Sequence, residues 1–255
     1  MLYWARQFIR GYNGELRRGA RQLVDRGAHI ADVGAHRGYH ALFFRGLTHG
    51  TGEIEMFEPN PYEHAHLSEL ANRYSDLHLH PIGLSSTTAT GQLKVPIIGA
   101  EAITSLATLR PDFVPGAFPY HVIDVPLRPL DEIASDLSFP LDVIKCDVEG
   151  YELEVLRGAE STLRNQRPLL LIEIEKRHCG ANLEKTLDLL ERVEYAGFFY
   201  VAGQRHPISE FNPYQHQDVF VQADPMARLP PAYVCDFLFI ARERLCSRRV
   251  NAHPG

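Results

Sequence analysis

The chain has 255 residues, 45% of them apolar and 23% charged, a balance that suits one large α/β domain able to bury its own core. A net charge of −6 favours no nucleic-acid partner over the surface as a whole, and no apolar run approaches the length of a membrane span. Four cysteines without a Cys-x-x-Cys spacing argue against a disulfide framework or a zinc knuckle and fit a reducing, cytoplasmic setting.

Residues 1–27 read as a helical extension that stops at Gly27. The first ten lack a signal-peptide core; peripheral membrane contact by an amphipathic helix is a weaker expectation than docking on the chain's own domain. From residue 28 strands and helices alternate. The predicted order is strand 29–33, helix 39–47, strand 53–57, a helix opening at Pro61, and strand 77–82. Alternation then breaks from 87 to 125. One extra strand, 92–98, is expected there, followed by a proline-containing loop or lid over 99–120. A short helix at 129–137 leads to strand 141–146, then a helical segment, strand 168–175 and a helix through Leu183, Leu187 and Leu190. Strands at 198–202 and 234–241 flank a second long loop, 204–231, and 246–255 read as a short tail. Repeated βα units imply a parallel sheet with helices on both faces, so 28–245 form a single domain with two insertions.

Ligands of such sheets bind at the carboxyl ends of the strands. The first strand ends in Asp32-Val-Gly34-Ala-His36-Arg-Gly38, where glycine permits close backbone approach. The second ends in Glu58, about 20 residues further on, where an acid accepts hydrogen bonds from ribose hydroxyls. Both NAD and S-adenosylmethionine use such an acid. The Gly-x-x-x-Gly spacing lacks the tight cradle a pyrophosphate needs and favours the phosphate-free cofactor. The fourth strand ends in Lys145-Cys-Asp147-Val-Glu149-Gly150, which turns into a helix. One of its two acids is expected to cap that helix, and Lys145 to pair with a strand carboxylate.

Several segments occur in order: Asp32-Val-Gly-Ala-x-x-Gly38, Phe57-Glu-Pro-Asn-Pro61, Leu84-Ser85, Ser105-Leu106, Leu130-Asp131, Ile144-Lys-x-Asp-Val-Glu-Gly-Tyr-Glu-Leu-x-Val-Leu-x-Gly-Ala159 and Ile172-Glu173. Over residues 28–200 the chain resembles the FkbM-type methyltransferases. The resemblance implies a Rossmann-like class I methyltransferase fold: a seven-stranded, mostly parallel sheet with an antiparallel last strand. It implies S-adenosylmethionine as cofactor, held by Asp32, Gly34, His36, Gly38, Glu58, Leu84 and Ser85, and methylation of a hydroxyl on a sugar, glycolipid or secondary metabolite. His36 stands where that family usually has Asn.

An alcohol is a poor nucleophile near neutral pH, so a general base is expected. The candidates are Asp147, Glu149, Glu173, Glu175 and His178, with Glu173 and Glu175 on one face of the fifth strand. Asp147 is alternatively a holder of the methionine ammonium. Asp147, Glu149 and Glu173 are also oxygen ligands suited to Mg²⁺, a cofactor not favoured because the spacing defines no octahedral site. Ser105, Phe113, Phe118 and Tyr120 are expected near a small-molecule or glycan acceptor. Competing readings are an NAD-dependent oxidoreductase and a non-catalytic Rossmann-like binding domain.

Overall fold

The computed structural model describes residues 20–21, 23–112, 119–221, 230 and 232–245. The sheet builds outwards from β1 (Ile30–Val33), with α1 (Tyr39–Leu47), β2 (Ile54–Phe57), α2 (Pro61–Arg73) and β3 (Leu77–His80) completing one half. Next come β4 (Gly83–Leu84), β5 (Ala89–Ile98), β6 (Glu101–Ala102) and β7 (Tyr120–Arg128). The second half holds α3 (Leu130–Ala134), β8 (Val143–Cys146), α4 (Glu152–Arg157), α5 (Glu160–Asn165), β9 (Leu169–Glu173), α6 (Lys176–Cys179) and α7 (Asn182–Arg192). It closes with β10 (Tyr195–Val201), β11 (Gln204–Pro207), α8 (Pro213–His216) and β12 (Asp236–Ala241).

The large sheet has the order β11-β10-β12-β9-β8-β1-β2-β3, with β12 antiparallel to both neighbours. Seven of these strands match the expected sheet. The eighth, β11, folds back on β10 from a segment read as loop. Its Gln-Arg-His-Pro sequence has no apolar alternation, as befits a polar strand at a sheet edge. Alternation along the central strands feeds two cores. Val33, Ile144, Cys146, Ile172 and Phe237 pack on one face, and Ile30, Val143, Leu171 and Leu238 on the other. Burial on both faces is why these strands are near-continuous apolar runs.

The first insertion contains the expected strand, within β5, but is a second sheet rather than one strand and a loop. β5 pairs antiparallel with β7 along eight residues, and β4 and β6 flank them. Leu93, Val95, Val125 and Leu127 form its own core, with Leu109 packed against it. Of the N-terminal extension, Ala20, Arg21 and Leu23 are helical; residues 1–19, Phe113, Phe118 and the 246–255 tail lie outside the described residues. Among the described residues no helix is long and apolar enough to cross a membrane.

Candidate active site

A cavity of about 320 Å³ lies over the carboxyl ends of β1, β2, β8 and β9, with the inserted sheet contributing a wall. Val33, Gly34, His36, Glu58 and Leu84 line one part of it; Asp147, Val148, Glu149, Glu173, Glu175 and Arg177 line another. The turns after β1 and β8 touch here. Gly34 has φ +76°, and a Cβ on it would fall 1.9 Å from the Asp147 carbonyl oxygen. Glycine is therefore dictated by contact with the neighbouring turn, whatever the ligand.

Glu58 is buried, and both its oxygens accept main-chain hydrogen bonds at 2.7 Å, one from His36 N and one from Asn60 N. Asn60 in turn caps α2, its Oδ1 accepting from Tyr62 N. The Glu-Pro-Asn-Pro run thus builds a carboxylate fixed from behind, each oxygen keeping a lone pair for a ligand. Burial pushes its pKa up to about 7.

Lys145 is the buried cation of the strand ends. Its Nζ donates to Asp147 Oδ2 at 3.3 Å and to Gly34 O at 3.4 Å, and lies 3.6 Å from Asp32 Oδ1. Burial disfavours its charge, but Asp147, Asp32 and Glu173 more than offset this and hold the ammonium well above its usual range. Asp32 is fully buried beneath the cavity lining, and burial raises it to about 6. Neither of its oxygens has a hydrogen bond of normal geometry.

Neither acid of the β8 turn caps the following helix. The cap position is Tyr151, and the Gly150 N–H is taken by Glu152 Oε1 at 2.9 Å. Glu149 instead occupies left-handed backbone, φ +52°, and points its carboxylate at His178, with Oε2 2.5 Å from Nδ1. Gly150 permits this turn: a Cβ there would lie 2.5 Å from the His178 carbonyl oxygen. Burial raises Glu149 despite His178. Burial opposes the His178 charge, but Glu149 and then Glu175 raise it above the usual imidazole range.

Glu173 and Glu175 both line the cavity, with buried Ile174 between them pointing into the core. Burial, followed by the charges of Asp147, Asp236 and Glu175, drives Glu173 well above the usual carboxylate range. Glu175 is gripped by Arg177 through Nε at 2.7 Å and Nη2 at 3.0 Å, and accepts the Tyr233 hydroxyl. Burial would raise it, but His178, Arg177 and Tyr233 leave it net lowered.

Asp147, Glu149 and Glu173, the acids suited to a Mg²⁺ that the spacing does not favour, do not form a ligand cluster among the described residues. The carboxylates and ring that come within 4.8 Å of one another are Glu149, Glu175 and His178, and a second such group is Glu173, Cys235 and Asp236. Arg177 and Tyr233 already occupy Glu175, so the first set is a satisfied ion-pair network.

Of the expected site residues, Gly34, His36, Glu58, Leu84, Asp147, Glu149 and Glu173 reach the cavity. Asp32, Gly38, Ser85 and His178 stand behind its lining. Gly38 is the N-cap of α1, Ser85 Oγ lies 3.0 Å from Tyr151 Oη, and His178 backs Glu149. Ser105 lines the cavity, whereas Tyr120 is exposed on β7. Tyr39, His40 and Thr104 also line it and carried no sequence signal beyond their place near a turn or in the insertion.

The family model described as "Methyltransferase FkbM domain" matches residues 32–200, a span that holds both turns, the inserted sheet and β9. The chain belongs to the FkbM methyltransferase family. A relative is the hexuronic acid methyltransferase AglP of Haloferax volcanii, 28% identical over 166 residues, which cover 64% of this chain and 61% of AglP. Among solved structures, methyltransferase FkbM from Methylobacillus flagellatus KT superposes with a TM-score of 0.53 at 20% identity, covering 85% of this chain and 44% of that one. This FkbM chain thus spans less than two thirds of either protein. The structural likeness supports the class I methyltransferase fold.

Proposed function

We propose that this FkbM chain is an S-adenosylmethionine-dependent O-methyltransferase acting on a hydroxyl of a sugar-type acceptor. One observation carries the reading: a single cavity has the main-chain-anchored Glu58 in one part and Glu149, backed by His178, in another. The donor set fits the cofactor. Glu58 offers two acceptor oxygens to a ribose diol, Leu84 is an apolar surface, and the acids around Asp147 suit a cationic ligand. When bound, S-adenosylmethionine supplies an electrophilic methyl group on a sulfonium.

The chain's own groups do the rest. Glu175 is held by Arg177 and by the Tyr233 hydroxyl, which makes it a poor proton acceptor. Glu149 faces the cavity, binds a proton more readily than an ordinary carboxylate, and has His178 behind it. Glu149 would take the proton of the acceptor hydroxyl during transfer. The name of the Haloferax relative favours a uronic acid among sugar acceptors.

The test combines calorimetry with S-adenosylhomocysteine and a transfer assay on methyl glucuronoside, methyl glucoside and an unglycosylated alcohol. Transfer to a glycoside hydroxyl supports the reading; no binding of S-adenosylhomocysteine overturns it. Two further results are expected. Glu58 must be ionised to accept the ribose hydroxyls, so binding lowers its pKa from about 7. Affinity is then full above pH 7 and falls as pH drops below it, approaching about tenfold per unit, with about half a proton released at pH 7. Calorimetry in buffers of different ionisation heat measures that proton. Treatment with EDTA is expected to leave transfer unchanged, since Arg177 and Tyr233 already engage Glu175 in the candidate ligand set that includes Glu149; activity restored only by Mg²⁺ would contradict this.

A further inference from the structure

Thr104, Ser105, Leu106, Ala107 and Leu109, all from the first insertion, form one wall of the cavity. This wall is tied to the strand-end machinery at both of its ends. At one end Thr104 Oγ1 lies 2.9 Å from His36 Nε2. At the other, Thr108 Oγ1 donates to the Glu149 carbonyl at 2.8 Å, and the Arg110 guanidinium donates to the His178 carbonyl.

His36 is the junction. Its N–H donates to Glu58 Oε2, while its ring crosses to the insertion. Its φ of +48° is uncommon for a residue other than glycine and persists where contacts on several sides enforce it. Glu63 Oε1 lies 3.5 Å from the same Nε2, and Arg37 Nε lies 3.4 Å from the other Glu63 oxygen. The nearby carboxylate favours hydrogen on Nε2, which then donates to Thr104 Oγ1.

We infer that His36 is a positioning residue that couples filling of the Glu58 part of the cavity to closure of the 104–109 wall over Glu149. A ligand that draws on the Glu58 carboxylate acts on the His36 main chain, and the His36 ring passes that restraint to Thr104. The wall then holds the Glu149 carbonyl through Thr108. Such coupling is reciprocal, so an ordered wall also tightens the hold on the nucleoside. The inference rests on the proposed cofactor reading.

Hydrogen exchange with S-adenosylhomocysteine as the probe tests it. The reporters are the amides of Leu106, Ala107 and Thr108, which bond to Ile103, Thr104 and Lys94 carbonyls. In the wild type, saturation with the probe is expected to slow their exchange about tenfold or more. His36→Asn keeps the N–H and tolerates left-handed backbone but is too short to reach Thr104; Thr104→Val removes only the hydroxyl. Both are expected to bind the probe about tenfold more weakly than wild type, the reciprocal of the lost coupling, and at saturation to keep less than about twofold of the protection. Wild-type protection in both variants would overturn the inference. So would loss of probe binding in Thr104→Val with β8 and β9 amides unchanged, since Thr104 would then be a ligand and not a link. A wild type that binds no probe would instead sink the cofactor reading itself, which calorimetry decides before any exchange is measured.

Discussion

Glu149→Gln is expected to lower turnover in methyl transfer by about 10²–10⁴ while changing the affinity for S-adenosylhomocysteine by less than about threefold. The amide matches the carboxylate in shape but cannot take the acceptor proton. Its carbonyl can still accept from His178 Nδ1, so the left-handed turn at Glu149 keeps its anchor. His178→Gln should cost less, because His178 stands behind Glu149 and does not line the cavity. Its signature is in the pH profile. Glu149 is raised by burial and held down by His178, so losing the imidazole moves the ascending, acidic limb of activity to higher pH. Steady-state rates of S-adenosylhomocysteine formation for the two variants and for Asp147→Asn decide the matter. If Asp147→Asn costs more turnover than Glu149→Gln at unchanged cofactor affinity, Asp147 is the base. That result is not expected, because Asp147 already accepts from Lys145 at 3.3 Å.

The parts of this site that were legible in the sequence are those written in strand-end chemistry. Glu58 could be read because an acid at the end of the second strand has one common use, and the Pro-Asn-Pro that follows sets a helix start that holds it. Glu173 and Glu175 could be read as neighbours because strand alternation has a fixed period. The capping role expected of Asp147 or Glu149 failed for a local reason. The turn needs two successive positive-φ residues, Glu149 and Gly150, which carry the chain past the cap position before α4 begins at Glu152. Of the inserted sheet, β5 was expected in part, as strand 92–98 despite Pro96, whereas β7 was hidden: Pro126 lies inside it, and proline inside an apolar run argues against a strand on pattern alone. Both strands form because their partners lie far apart in the chain: Val95 pairs with His121 and Leu93 with Ile123. No local signal carries that pairing, nor the contact of Thr108 with Glu149. The wall over the cavity was thus the least readable part of the site, although Ser105 on it was anticipated.

Lys145→Met is expected to destabilise the fold by about 3–5 kcal/mol at pH 8, the usual consequence of removing one partner from a buried charge cluster. Its two acids do not share that cost equally. Asp147 keeps 21% side-chain exposure and can turn towards water in the cavity; Asp32 has none. Asp32 also pairs in register with Lys145 in the middle of the sheet, where Met56 and Ile30 offer no replacement donor. The loss is therefore charged almost entirely to Asp32. Adding Asp32→Asn should recover most of the stability lost by Lys145→Met, and adding Asp147→Asn should recover little. The pH dependence follows from the sign of the shift. Burial already raises Asp32 to about 6 with Lys145 present, and removing the ammonium raises it further. A carboxyl whose folded pKa exceeds its unfolded value costs stability in full above the folded pKa. That cost vanishes as pH falls towards the unfolded value of about 3.9. Lys145→Met should consequently lie closer to wild type at pH 5.5 than at pH 8, whereas loss of an ordinary surface salt bridge would cost the same at both, its carboxylate being ionised throughout that range. Urea unfolding of the single and double variants at both pH values measures this. Equal recovery from Asp32→Asn and Asp147→Asn would show that Lys145 serves the cavity as much as the sheet beneath it.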